Sequence, residues 1–379
     1  MKLHGGKAHG DENVLITGGA GFIASHVAAR LIERGYRIRA LDSLLSQVHR
    51  DAGRPEYLHP DVELVRGDVR DRECVDRALE GIGSVVHFAA RVGVGQSMYD
   101  LADYTSVNCD GTAVLLEAMM DRPIRKLLVA SSMSVYGEGA YRAGERLVEA
   151  VERDRGQLER GQWEPRGPKG EALTPVRTSE AKPPALSSIY ALGKYAQERM
   201  CLMFGASYGI PTVALRFFNV YGPFQALSNP YTGVLAIFAG RLLNNRPPMI
   251  FEDGEQRRDF VNVRDVAEAC RLALERPGAD GRVVNIGSGE SVSVREVAER
   301  LARVVGQEHV EPQVNGKYRF GDIRHCFGDI SLARETLGFE PRVGLEEGMV
   351  EFATWLEGQV AEDHVEDATA ELAERGLTL

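Results

Sequence analysis

An apolar run that ends in a glycine-rich turn constrains this chain more than any other stretch. Val14-Leu15-Ile16 leads into Thr17-Gly18-Gly19-Ala20-Gly21-Phe22-Ile23-Ala24. A short apolar run closed by glycines reads as a buried strand. From His26 to Gly35, Val27, Leu31 and Ile32 recur at helical spacing, and Gly35 is a stop signal. Strand, glycine turn and helix in this order fit a chain that folds around a parallel sheet and brings backbone close to a ligand. The rhythm continues. Further strands are expected at Arg37–Leu41, Val62–Val65, Val85–Phe88 and Leu127–Ala130, with helical stretches between them. Alternating strands and helices predict an α/β fold with a doubly wound parallel sheet.

The turn also suits a specific ligand. Glycines let the backbone approach a pyrophosphate, and the helix N-terminus offers N–H donors and a positive dipole end. The spacing Gly18-x-x-Gly21-x-x-Ala24 departs from the common G-x-G-x-x-G pattern, with Ala24 small enough for close helix packing. Asp42 closes the second strand, 21 positions after Gly21. A carboxylate there can accept from ribose hydroxyls and would repel a 2′-phosphate, which favours NAD over NADP. The following Ser43-Leu44-Leu45-Ser46 has no arginine to reverse that preference.

The second chemical signature is Tyr190-Ala191-Leu192-Gly193-Lys194, preceded by Ser132. A phenol with a pKa near about 10 is a weak base at neutral pH. A nearby ammonium lowers that value. Tyr190 is therefore the expected proton acceptor at a carbinol, Lys194 its electrostatic support, and Ser132 the group that relays the proton.

Composition narrows the partners. Of 379 residues, 26% are charged and 44% hydrophobic, and the formal net charge of -10 argues against nucleic acid or an anionic membrane. Five scattered cysteines without a C-x-x-C pair predict reduced thiols, a cytoplasmic setting and no metal site. Neither a secretory leader nor a membrane span is expected.

With these residues in place, the chain from about 13 to 345 resembles an extended short-chain dehydrogenase/reductase of the nucleotide-sugar epimerase/dehydratase family. The likeness also rests on Gly67-Asp68-Val69, His87-Phe88-Ala89-Ala90, Asn108-x-x-Gly111-Thr112, Ser131-Ser132-Met133-Ser134-Val135-Tyr136-Gly137, Arg216-Phe217-Phe218-Asn219-Val220-Tyr221-Gly222-Pro223 and Arg257-Arg258-Asp259-Phe260-Val261. It implies that Gly18, Gly21, Phe22, Ile23, Asp42 and Ser43 hold NAD, with Asp68 and Val69 at the adenine. It implies that Phe88, Ala89 and Ala90 line the cofactor, that Asn108 supports nearby backbone, that Lys194 orients the ribose, and that Phe218 lies near the nicotinamide. Ser132, Met133, Asn219, Arg258, Arg319 and Asp322 would bind a nucleotide-diphosphate sugar, and Cys326 would border the sugar.

The resemblance further implies a Rossmann-type domain over 13–223, a smaller C-terminal α/β substrate-binding region over 224–355 and a homodimer formed through helices starting near Tyr104 and Tyr190. The segments Gln96–Tyr99, Gln225–Tyr231 and Arg324–Phe327 resemble those of dTDP-L-rhamnose 4-epimerases. The substrate is therefore expected to be a UDP- or dTDP-hexose: a dTDP-L-rhamnose-like sugar, UDP-glucose or UDP-galactose, or a UDP-N-acetylhexosamine.

The reaction type turns on two positions. Relatives that eliminate water usually carry carboxylates just after the catalytic Ser/Thr, where this chain has Met133 and Ser134. Without that acid and base, 4,6-dehydration is disfavoured and redox-neutral 4-epimerisation is expected.

Three segments fall outside the pattern. Residues 1–12 read as a disordered tail. Residues 141–175 form a charged insertion, read as one helix over 142–160, with Leu147, Val151 and Leu158 on one face, then a Gly/Pro-rich loop. Its charge favours a solvated excursion over a lid or partner site. Residues 356–379 read as an acidic tail, and the chain from Trp355 on as a frayed helix. Ser293 with Glu296 predicts a capping box opening a helix that buries Val294, Val297, Leu301 and Val304.

Overall fold

The computed structural model describes residues 12–49, 53–148, 153–319 and 321–378. Residues 1–11 of the expected tail, Val151 of the expected insertion helix and Phe320 lie outside the described residues.

Seven parallel strands form the central sheet: β1 (Asn13–Thr17), β2 (Arg37–Asp42), β3 (Glu63–Arg66), β4 (Ser84–His87), β5 (Lys126–Ser132), β6 (Thr212–Phe217) and β7 (Val283–Ile286). Their spatial order is β7-β6-β5-β4-β1-β2-β3. The chain reverses direction across the sheet between β1 and β4, so a crevice opens at their carboxyl ends. Alternation along β1 divides the core. Val14 and Ile16 join one cluster and Leu15 the other, all fully buried.

Helix α1 (Phe22–Ile32) starts at Gly21, one turn earlier than the hydrophobic spacing suggests. On the second face lie α2 (Gly111–Met119) and α3 (Ile189–Tyr208). α3 begins where Ser188 Oγ accepts from Ala191 N (3.1 Å) and stops at Gly209, in a left-handed conformation. α4 (Val263–Glu275) returns to pack against α1.

A third cluster lies away from the sheet. α5 (Val294–Val304) carries the expected capping box, and Val297 and Leu301 are buried, with Val294 and Val304 packed at the margin. α6 (Leu345–Leu356) packs against it. α7 (Val365–Glu374) follows, so residues 356–379 include a folded helix with Leu372 only 4% exposed.

The insertion differs from its sequence reading. Ala140–Ala143 pairs with Arg146–Val148 and with Thr174–Val176 as a small antiparallel sheet, and the helix is confined to Arg155–Glu159. Gly144, with φ 59°, provides the tight turn that ends any helix begun at Arg142. Nor is the insertion merely solvated. Arg153 pairs with Glu138 and Glu252, and Arg324 pairs with Glu164, Glu252 and Asp253. Both guanidinium groups are buried. Charges read as a solvated face instead dock the insertion on the C-terminal region around Glu252, Asp253 and Arg324.

Candidate active site

The glycine turn closes on β4. Gly18 has φ 65°, and a Cβ there would lie 2.8 Å from the Ala89 nitrogen. Only glycine lets the two backbones approach this closely. Asp42 is fixed by two backbone donors, Ala20 N (3.0 Å) and Leu44 N (2.8 Å). His49 Nε2 stands 3.7 Å from the same carboxylate, and burial lowers its pKa against the pull of Asp42. These groups line a cavity of about 550 Å³ that also includes Gly21, Phe22, Ile23, Ser43, Asp68, Val69, Phe88, Ala89, Ala90, Lys194 and Phe218. Asp68 is held by Arg70 through bonds of 2.6 and 2.9 Å, which lower its pKa. Asn108 stands behind the wall. Its amide accepts from Arg91 N (2.7 Å) and donates to Arg91 O (3.1 Å), fixing the strand end just past Ala90.

Tyr190 and Lys194 share one face of α3 because they are four residues apart. Ser132 ends β5 and caps the short 3-10 turn Met133–Tyr136. Its hydroxyl accepts from Ser134 N (3.2 Å) and Ser134 Oγ (2.9 Å). Burial raises the Tyr190 pKa, opposed by a hydrogen bond with Ser132. Lys194 donates to Gln197 Oε1 (2.7 Å), and burial lowers its pKa to about 8. Gln197 in turn donates to Ala89 O (3.1 Å), tying the lysine to the β4 loop. Lys194 and the positive nicotinamide were together expected to lower the phenol; in the protein alone, the hydrogen bond with Ser132 opposes the effect of burial on Tyr190.

A second cavity of about 330 Å³ opens beyond the first. Ser132, Tyr190, Phe218 and Asn219 line both, so the two cavities meet at the serine and the phenol. Asn219 Oδ1 is buried there without a hydrogen-bond partner. Met133 and Ser134 lie on the second cavity's wall, as do Arg258, Arg319 and Asp322. Arg258 is anchored on the carbonyls of Arg257 and Arg324 (3.0 Å each), and Arg319 Nε is 2.9 Å from Asp322 while its guanidinium stacks over Phe251.

Cys326 lines neither cavity. It pairs with Arg258 across a small sheet and is buried with Met133, Phe218 and Ile323, so it packs beneath the wall. Burial pushes its thiol up to about 12. Residues that sequence reasoning missed include His49, Val94, Gly95 and the α7 face Val365, Ala368, Thr369 and Leu372. The last four recur at helical spacing, a signal readable in the sequence.

Comparison with known proteins agrees with this architecture. The profile of the "NAD dependent epimerase/dehydratase family" matches residues 14–156 and 165–287. The chain belongs to that family. Its fold neighbours are family epimerases, and it is an NAD-dependent enzyme. A dTDP-L-rhamnose 4-epimerase of Burkholderia thailandensis is 37% identical over 350 residues, spanning 91% of this chain and 95% of that protein. The solved UDP-glucose 4-epimerase of Thermotoga maritima, with UDP-glucose, superimposes with a TM-score of 0.75 at 32% identity, covering 91% of this chain and 99% of that one. The Thermus thermophilus UDP-glucose 4-epimerase complex with NAD gives 0.72 at 32% identity, covering 92% and 100%.

The first cavity fits NAD on its own geometry. The Gly18 cradle admits phosphate beside bare backbone, the α1 N-terminus faces it, and Asp42 is aimed by its two backbone donors.

Proposed function

We propose that this enzyme is a nucleotide-sugar 4-epimerase acting on a UDP- or dTDP-hexose, with a dTDP-linked 6-deoxyhexose such as dTDP-L-rhamnose favoured. Bound NAD supplies reversible hydride acceptance at C4. Tyr190, as the phenolate that the Lys194 ammonium and the positive nicotinamide would favour, removes the C4 hydroxyl proton, with Ser132 hydrogen-bonded to the reacting oxygen. Lys194 orients the cofactor ribose. Asp42 binds the adenosine ribose, and Asp68 and Val69 meet the adenine. Arg258, Arg319 and Asn219 hold the diphosphate and nucleotide. The 4-keto sugar turns within the second cavity and returns to an alcohol from its other face.

One observation carries the choice of epimerisation over dehydration. Among the described residues, the sole carboxylate on the substrate cavity is Asp322, which is paired with Arg319. Elimination of water across C5 and C6 needs an acid and a base beside the sugar. Met133 cannot exchange a proton, and the Ser134 hydroxyl already donates to Ser132. The preference for a 6-deoxyhexose draws on the apolar walls of that cavity and on the 37% identical relative.

The test is incubation with UDP- and dTDP-sugars, read by NMR for inversion at C4. Release of a 4-keto-6-deoxy sugar, or consumption of reduced cofactor in step with product, would overturn the reading. A homodimer is also proposed. Leu192, Met203 and Tyr208 of α3 and Met120 beyond α2 are exposed apolar side chains, and sedimentation should give twice the chain mass.

A further inference from the structure

Helix α7 does not trail from the molecule. Val365, Ala368, Thr369 and Leu372 lie on the substrate cavity, which Arg258 and Arg319 also line. Seven residues separate Val365 from Leu372, so the helix spans about 10 Å of the opening. Its ends meet different parts of the site. Val365 lies beside Pro230 and Ile237. Leu372 reaches Gly95, where an added Cβ would stand 3.3 Å from Leu372 Cδ1. The neighbouring Val94 shares the cavity with Ser132 and Tyr190. The leucine therefore borders the loop by which Val94 reaches the cavity that Ser132 and Tyr190 line.

The helix is also clasped. Tyr99 Oη donates to Glu371 (3.0 Å) and shares a hydrogen bond of 2.7 Å with Tyr231 Oη. Arg375 stacks over the Tyr99 ring at 4.4 Å. Upstream, Arg241 bonds Asp363 (3.3 Å) with both groups buried. Beyond the helix, Thr378 bridges to Arg319. Tyr231 lines both cavities, so the clasp joins α7 to the loop between the cofactor and substrate sides.

We propose that α7 is the outer wall of the sugar subsite and that Leu372 is a specificity-determining residue. Together with Val92, Val94 and Met133 it presents an apolar surface to the sugar. The two cations of the cavity are already committed to protein partners, Arg258 to the carbonyls of Arg257 and Arg324 and Arg319 to Asp322. A methyl or other small uncharged substituent fits against Leu372; a carboxylate meets no free counter-charge and is desolvated there. This inference rests on the nucleotide-sugar reading above.

The experiment compares calorimetric affinities for dTDP and dTDP-L-rhamnose in the NAD-loaded full chain and in Leu372→Ala, Leu372→Trp and Tyr99→Phe. Losing the leucine contact is expected to weaken dTDP-L-rhamnose about tenfold and dTDP less than twofold, from the burial of one apolar side chain. Leu372→Trp should weaken the sugar nucleotide more strongly by filling the subsite. Tyr99→Phe lies outside both cavities and should move the same ratio in the same direction, with the loss appearing in KM. Equal effects on both ligands, or none on either, would overturn the assignment. A wild-type protein that binds dTDP-L-rhamnose more tightly than dTDP but inverts no sugar would refute the epimerase reading alone. The Leu372 comparison would still decide the role of α7.

Discussion

Lys194 links stability and chemistry in opposite directions, and Lys194→Met separates them. The ammonium is buried, and burial lowers its pKa from 10.5 to about 8. Each tenfold change is about 1.4 kcal/mol, so keeping the lysine charged at pH 7 costs the fold about 3 kcal/mol. Methionine has a similar volume and no charge. The variant also strips Gln197 Oε1 of its donor, a loss of about 1 kcal/mol. The expected balance is a protein about 2 kcal/mol more stable than wild type at pH 7. The pH dependence has a definite sign. A lysine lowered in the folded state imposes its full penalty below pH 8, where both states are protonated. Between 8 and 10.5 the unfolded chain binds more protons, so wild-type stability rises with pH relative to the variant. Near pH 9.5 about half of the penalty is gone. Urea unfolding of nucleotide-stripped protein at both pH values measures this, and C4 inversion should fall about 100-fold or more. A variant less stable than wild type at pH 7, or an advantage equal at both pH values, would refute the reasoning.

Arg324→Met should destabilise the protein by about 3–5 kcal/mol in the same unfolding assay, because it leaves carboxylates on Glu164, Glu252 and Asp253 around a site that is 1% exposed. Glu252→Gln should cost less, since Arg324 keeps two partners. Gly18→Ala places a Cβ 2.8 Å from the Ala89 nitrogen at φ 65°, a strain of about 1–3 kcal/mol. It should abolish the rise in Tm that NAD produces in the wild type. Glu164 is held down to about 2 by His325 and Arg324, whose hydrogen bonds outweigh burial. That support is complete above pH 4.5 and is lost as pH falls toward 2. In a Trp355→Phe background, Trp163 fluorescence should report release of the insertion in that window.

The parts legible in the sequence were those where one local rule suffices. Val14-Leu15-Ile16 and its glycines announced a strand and a ligand turn, and Ser293 with Glu296 announced a helix start that the fold contains. Tyr190 and Lys194 were readable as a pair because four residues make one helical turn. What escaped was set by distant partners. The alternation that folds Ala140–Val148 into a hairpin is short and flanked by charges, and the pairing strand Thr174–Val176 lies at the far end of the insertion. Arg153, Glu164 and Arg324 look like solvated charges until they are seen facing one another. Cys326 shows the opposite error: its place beside a substrate-region motif suggested the sugar, yet the side chain points into the core.

The two misread segments share a physical logic that bears on the substrate. The cofactor cavity is built from the carboxyl ends of strands, where backbone geometry alone defines the glycine turn, so a short motif describes it. The substrate cavity is closed by elements with no such motif. Arg324 ties the insertion to Glu252 and Asp253, adjoining Phe251, over which Arg319 stacks. Tyr99 and Tyr231 tie α7 to the loop that both cavities share. On the proposed reading, the insertion stiffens the nucleotide end and α7 walls the sugar subsite. A chain can keep Ser132, Tyr190, Lys194 and Asp42 while changing which sugar it admits, because the chemistry and the selection rest on different elements. The substrate is therefore best sought by varying α7 and the loops it grips, rather than the residues that perform the reaction.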